Sequence, residues 1–272
     1  MKISVLMSIY HKEKVAYFNR AMQSIWDDQI VKPDEIVLVQ DGSLTDELHI
    51  AINIWSVKLG DTFRTISLKK NVGLGEALNI GLKECNYGLV ARMDSDDIAL
   101  PERFEKQFAM LVENPDIDIL GSWICEFDDD PTHCTQERKV PSVHRDIVKF
   151  AKYRNPLNHM TVVFRKDAVL DVGEYLPMNG FEDYYLWMRM LMKGKRFVNL
   201  PQVLVKARTG RGMIIRRQGW KYAKDELALE KAAYQMGFWS KTDLVKNFFT
   251  RFLPRLLPVF IVERLYTLLR KF

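Results

Sequence analysis

The chain holds few cysteines, no long apolar run and little excess charge. Its 272 residues include three cysteines, Cys85, Cys125 and Cys134. They form neither an even set nor a C-x-x-C pair, which argues against a disulfide framework or a thiolate metal site. Such sparing use fits a reducing, cytosolic compartment. No uninterrupted apolar stretch reaches the roughly 18 residues that a membrane-crossing helix needs. The start, Met1-Lys2-Ile3-Ser4-Val5-Leu6-Met7-Ser8-Ile9-Tyr10, has no cleavage site and reads as a first strand. The net charge is only +5, and it is confined to one end. From Gln235 to Phe272, seven Lys and Arg face only Asp243 and Glu263, so the tail carries the whole excess. A near-neutral body argues against nucleic acid as a partner.

What is present is enough apolar material for a core: 47% hydrophobic residues and 11% aromatic, well clear of disordered compositions. Apolar runs alternate with helical periodicity through the first half. The pattern predicts strands over 2–9, 35–40, 63–68 and 88–93, with helices over 15–28, 44–59 and 73–85. That alternation implies an α/β fold with a mainly parallel sheet flanked by helices. Ligands in such sheets bind beyond the carboxyl ends of the strands. A helix over 101–113, a strand over 117–124, a loop over 127–142, a strand over 161–164 and a helix over 181–193 follow. Beyond about residue 211 the pattern is helical and basic. A boundary is expected near 215, dividing a body, 1–214, from a helical extension, 215–272.

Four constellations carry chemistry. Asp94-Ser95-Asp96-Asp97 closes the run Tyr87-Gly88-Leu89-Val90-Ala91-Arg92-Met93. Carboxylates packed this closely repel unless a cation lies between them, and a hard divalent ion shared with a diphosphate suits them. The bland reading is a solvated turn at a helix start. Val37-Leu38-Val39-Gln40-Asp41-Gly42-Ser43 puts a carboxylate at the tip of the second strand, able to accept from a base N–H or a ribose hydroxyl; a plain Asp-Gly turn is the alternative. Lys70-Asn71-Val72-Gly73-Leu74-Gly75-Glu76-Ala77-Leu78-Asn79 has glycines that let amides approach a nucleotide. It has Leu78 where a dinucleotide fingerprint needs Gly, and it comes too late in the chain. Gly180-Phe181-Glu182-Asp183-Tyr184-Tyr185-Leu186-Trp187 places two acids at a helix start, either a general base under an aromatic wall or simple dipole complements.

In this order the motifs, with Ser4 to Tyr10 at the start, resemble the family 2 glycosyltransferases, the GT-A-fold group that includes bacterial O-antigen and exopolysaccharide transferases. The resemblance covers about residues 3–211. It implies the GT-A nucleotide-diphospho-sugar transferase fold. It also implies that Ser8, Tyr10, Asp41 and Asn71 hold a UDP-sugar, that Asp94 faces the nucleotide, and that Asp96 ligates Mn²⁺ or Mg²⁺. Asp183 is then the catalytic base, with Glu182 beside it. His159, in Asn158-His159-Met160-Thr161, either approaches the metal or phosphate or is a hydrogen-bonded structural histidine. Arg216-Arg217-Gln218-Gly219-Trp220 has the wrong order for the Gln-x-x-Arg-Trp motif of processive members, so a single-addition, inverting transfer of a hexose, glucose or galactose, is implied. The basic, apolar tail suits the inner face of a bacterial membrane, where a lipid-diphosphate-linked saccharide acceptor would lie. The expected location is cytoplasmic and peripheral on the inner membrane. Two other readings are a non-catalytic membrane adaptor, which leaves the ordered Asp motifs unexplained, and a sugar-1-phosphate nucleotidyltransferase. The latter would carry a glycine-rich loop after the first strand, where residues 8–14 have no glycine.

Overall fold

The computed structural model describes residues 2–209 and 218–256 of the chain. The boundary expected near 215 and the tail helix expected over 261–272 lie outside these residues.

The first half alternates as expected. It runs β1 (Ile3–Ile9), α1 (Val15–Ile25), β2 (Glu35–Gln40), α2 (Asp46–Leu59), β3 (Phe63–Ser67), α3 (Leu74–Glu84) and β4 (Leu89–Arg92). The two-residue β5 (Ile98–Ala99) and α4 (Arg103–Glu113) lead to β6 (Ile119–Phe127), β7 (Gln136–Arg138) and α5 (His144–Phe150). Then come β8 (Val163–Arg165), α6 (Lys166–Leu170), α7 (Glu182–Met192) and β9 (Phe197–Arg208). Two helices close the described chain: α8 (Gly219–Gln235) and α9 (Lys241–Asn247), the latter running on through a π-helical turn, Phe248–Phe252.

One sheet joins the strands in the order β3-β2-β1-β4-β8-β6-β9-β5, with β7 on β6. The first four are parallel. β8 lies antiparallel between β4 and β6, and β9 runs parallel to β6. The central strands read as unbroken apolar runs because both faces are covered. Alternate residues of β1 serve opposite layers: Ile3, Val5, Met7 and Ile9 pack with α1, α2 and α4, and Leu6 packs with α3 and α7. The α3 layer sits close: a Cβ on Gly81 would come within 2.4 Å of Leu6 Cδ1. A third cluster packs the outer side of α7, through Phe181, Tyr184 and Met188, onto Leu229, Ala233 and Trp239 of the C-terminal helices. Among the described residues no helix is long and apolar enough to cross a membrane.

Three local features depart from expectation. β9, the longest strand, lies where none was predicted. Its run is broken by Pro201 and Gln202, which are exposed. They bulge out between the pairs Ser122–Leu200 and Trp123–Val203, so the alternation slips. β7 occupies part of the predicted 127–142 loop. Cys125 and Cys134 form a disulfide across the β6–β7 turn, which corrects the expectation of unpaired thiols. An odd count only requires one cysteine left over, and that is the buried Cys85.

Candidate active site

The parallel strands end along one edge, and the motifs line up there. Ser8 is the penultimate residue of β1 and pairs in register with Val39 of β2. Tyr10 follows, largely exposed. The Asp41 amide donates to Ile9 O at 2.8 Å, and the Met93 amide donates to Leu6 O at 3.1 Å. The tips of β2 and β4 therefore flank β1. Asp41 is buried, and its two carboxylate oxygens accept from the amides of Val72 at 2.7 Å and Gly73 at 3.1 Å. Asn71 closes the same contact by donating to Asp41 O at 3.2 Å. Gly42 sits at φ +87°, and a Cβ there would lie 2.7 Å from the Asn71 amide nitrogen. The Asp-Gly turn thus anchors the glycine-rich loop before α3. Each carboxylate oxygen keeps a further lone pair for an incoming donor.

Asp94, Asp96 and Asp97 each present an oxygen, the three within 4.8 Å of one another. Burial, aided by Asp94 and then Glu13, pushes the Asp96 carboxyl up to about 7. Burial, with Asp94 and Asp96, pushes Asp97 well above the usual carboxylate range. One oxygen of Asp97 accepts from the Arg208 amide at 2.7 Å; the other is buried and has no hydrogen-bond partner among the described residues. Three hard oxygen donors that resist sharing one site, with one oxygen left over, fit a divalent cation.

Beneath the cluster lies Arg92, the last residue of β4, 2% exposed and ion-paired to Asp94. Its Nε and Nη1 have no hydrogen-bond partner among the described residues. The same guanidinium lies within electrostatic reach of Asp183, and the Tyr175 hydroxyl feels Arg92, Asp183 and Asp94 together. Asp183 stands in the first turn of α7. Its carboxylate accepts from Asn155 Nδ2 at 2.6 Å and from the Tyr184 amide at 2.7 Å. Burial raises its pKa against those two hydrogen bonds. Glu182 is also raised by burial, and its side chain rests where a Cβ on Gly75 would meet it at 3.3 Å. His159 shares a hydrogen bond with the Tyr175 hydroxyl at 2.8 Å and packs edge-on against Trp187. Burial, then Arg92, holds its pKa well below the usual imidazole value, which keeps the ring neutral.

The strand tip at Asp41, the carboxylates of Asp94, Asp96 and Asp97 and the acid pair at the start of α7 thus make up the candidate site. The family model for Glycosyl transferase family 2 matches residues 4–170. The chain belongs to glycosyl transferase family 2. It is 41% identical to the amylovoran biosynthesis glycosyltransferase AmsE of Erwinia amylovora, over 98% of this chain and 99% of that one. It is 40% identical to the UDP-Gal:alpha-D-GlcNAc-diphosphoundecaprenol beta-1,3-galactosyltransferase of Escherichia coli, over 94% and 92% of the two chains. The fold resembles S. aureus TarS 1-349 in complex with UDP-GlcNAc, with a TM-score of 0.68 and 20% identity, over 94% of this chain and 72% of that one. The fold is GT-A, and the protein is a glycosyltransferase enzyme.

Within this family 2 transferase, the sequence reading did not single out four residues around the candidate site. Arg92 read as part of a strand. Glu13, in the β1–α1 loop, accepts from the Ser95 hydroxyl at 2.5 Å and crowds Asp96. Arg208 ends β9, its guanidinium 3.7 Å from the Tyr17 ring centroid. Asn155 precedes Pro156 in what reads as a plain turn. Arg92 alone had a cue, since a lone Arg in an otherwise apolar strand is rarely buried without an acid to meet.

Proposed function

We propose that this enzyme is an inverting transferase that moves a hexose, galactose or glucose, from a UDP-sugar to a lipid-diphosphate-linked saccharide. The observation that carries the reading is Arg92 with Tyr175. Both lie within electrostatic reach of Asp94 on one side and Asp183 on the other, which supports one site bordered by the acid cluster and by Asp183. The E. coli relative is named for a reaction of this class, a UDP-sugar acting on a diphosphoundecaprenol-linked sugar with a β-linked product.

In this reading Ser8, Tyr10, Asp41 and Asn71 line the uridine. Asp94 and Asp96, with Asp97, would hold Mn²⁺ or Mg²⁺, which when bound neutralises charge on the departing diphosphate. Asp183 takes the proton from an acceptor hydroxyl. That oxygen attacks the anomeric carbon opposite the diphosphate, and a single displacement turns an α-linked donor into a β-glycoside. Burial raises the pKa of Asp183, which makes it a stronger base than an ordinary carboxylate. Buried and tied to Tyr175, His159 is a wall of the site.

The exposed outer faces of α8 and α9 carry apolar and basic residues that suit a membrane surface, and such a surface would present the lipid-linked acceptor. The deciding experiment is UDP release from UDP-galactose and Mn²⁺, with and without a GlcNAc-diphosphate-lipid acceptor. General-base help is typically worth about 10²- to 10⁴-fold, so Asp183→Asn should lose that order of rate while binding UDP-galactose normally. Acceptor-dependent UDP release at the wild-type rate in that variant would remove Asp183 from the role.

A further inference from the structure

Asn155, the side chain that holds Asp183, lies at the end of a short turn that follows α5. Three successive carbonyls of that turn accept from side chains of distant elements. Ala151 O accepts from the Tyr184 hydroxyl at 2.8 Å, Lys152 O from Asn247 Nδ2 at 2.8 Å, and Tyr153 O from Arg251 Nη1 at 2.8 Å. The Lys152 ammonium in turn donates to Phe238 O. Two of the three grips, Asn247 and Arg251, come from the C-terminal helices. Asn247 is fully buried. Arg251 also reaches the Tyr184 hydroxyl at 3.3 Å and is fixed from behind by the buried Glu226 at 2.5 Å. Its guanidinium stacks over Tyr184 and Trp239. Arg251 therefore ties together the turn that carries Asn155 and the helix that carries Asp183.

We propose that the C-terminal helices are a clamp on the catalytic base, with Asn247 and Arg251 as positioning residues that fix the Asn155–Asp183 hydrogen bond. This rests on the reading of Asp183 as the base. Removing a grip leaves its carbonyl, buried at Ala151 and partly buried at Lys152, without that partner, so the turn would shift to find another. Asn155 moves with it. A displacement of about 1 Å at a reacting group can cost on the order of 10²-fold in rate. The C-terminal extension is then part of the catalytic apparatus, although its helices lie beyond the 4–170 span of the family model.

The test uses the full chain with UDP-galactose, Mn²⁺ and a GlcNAc-diphosphate-lipid. Asn247→Ala removes one grip and no charge. It should lower kcat about tenfold or more and leave calorimetric binding of UDP-galactose unchanged. It should also move the acid limb of the kcat/KM profile to higher pH, because Asp183 loses a donor that favours its ionised form. The charged and titratable groups facing Asp183 are Arg92 from β4, Arg138 from β7, Tyr175 ahead of α7, and Glu182 and Tyr184 on its own helix. Asn247 touches none of these. Asn155→Ala should give the same shift, and adding Asn247→Ala to it should do no further harm, since residues acting through one contact are not additive.

Arg251→Ala strips the partner from Glu226 and risks misfolding. Arg251→Lys keeps that charge and should show a smaller loss of kcat with the same pH shift. Wild-type kcat and pH profile in a folded Asn247→Ala, or additive losses in the double variant, would overturn the clamp. Full activity in Asp183→Asn would instead overturn the base reading, and the two failures are therefore distinguishable.

Discussion

Asp96 is a carboxylate in a place that resists its charge. Burial, Asp94 and Glu13 raise its pKa to about 7, above the roughly 3.9 of an unfolded Asp. Between these values the folded chain binds a proton that the unfolded chain has lost. Stability without metal should therefore fall as pH rises from about 4 to 7, the reverse of a salt-bridged aspartate. A divalent cation requires the ionised form and stabilises the fold it binds. Mn²⁺ should accordingly raise the melting temperature more at pH 8 than at pH 5. In Asp96→Asn both the pH trend and the Mn²⁺ gain should shrink. A melting temperature that Mn²⁺ moves equally at the two pH values would contradict this account. At this scale the sequence was informative about which acids cluster and silent about what faces them. Asp94, Asp96 and Asp97 announce themselves by adjacency. Glu13 and Asn155 reach their partners only through the fold: Ser95 and Glu13 are 82 residues apart, and Asn155 and Asp183 are 28 apart.

At the scale of elements, legibility followed the surroundings of each strand. β1, β2 and β4 are covered on both sides, so apolar runs marked them to within a residue or two, β2 and β4 with Asp or Gly at their ends. β9 lies next to the edge, covered on its outer side only by the two-residue β5, and takes its register from a bulge against β6. Pro201 removes an amide that the bulge leaves unused, and no local pattern foretells that. The disulfide across the β6–β7 turn was illegible for a similar reason. Cys125 and Cys134 lie nine positions apart, a spacing with no meaning until the hairpin forms. The bond tethers β7 beside β6, whose last residue, Phe127, packs under the Arg208 guanidinium at 4.5 Å. A crosslink closing so short a loop is worth about 2–3 kcal/mol in the chain-entropy model. Cys134→Ser should lower stability by that amount under oxidising conditions, measured by urea denaturation. Under dithiothreitol the variant and the wild type should coincide. A difference that survives reduction would assign the loss to packing at Cys134.

For the whole molecule, the proposed lipid-linked acceptor raises the question of how the catalytic body would reach a membrane surface. α8 presents Trp220, Lys224, Leu227, Lys231 and Tyr234 at helical spacing, all exposed, with Trp220 at 59%. α9 and its continuation present Val245, Phe249, Leu253 and Leu256 in the same way, with Phe249 at 60%. Aromatic residues with interleaved lysines suit a headgroup interface, and the chain's excess positive charge lies in this same C-terminal region. Truncation after Lys246 is a poor test, because it also removes Asn247, Arg251 and Phe252, which are wholly or largely buried, and it leaves Glu226 without its partner. Surface substitutions away from such contacts usually change stability by less than about 0.5 kcal/mol, so Val245→Ser with Phe249→Ser should fold normally. Burying a Phe is worth about 1.5–3 kcal/mol. The double variant should therefore bind vesicles of phosphatidylcholine with phosphatidylglycerol at least about tenfold more weakly than wild type. Adding salt should weaken wild-type binding too, because each basic residue near an anionic surface contributes about 1 kcal/mol that screening removes. Co-sedimentation of wild type and variant to the same extent would show that this face does not meet the bilayer. Normal kcat on a detergent-solubilised acceptor, alongside lost vesicle binding, would separate docking from chemistry.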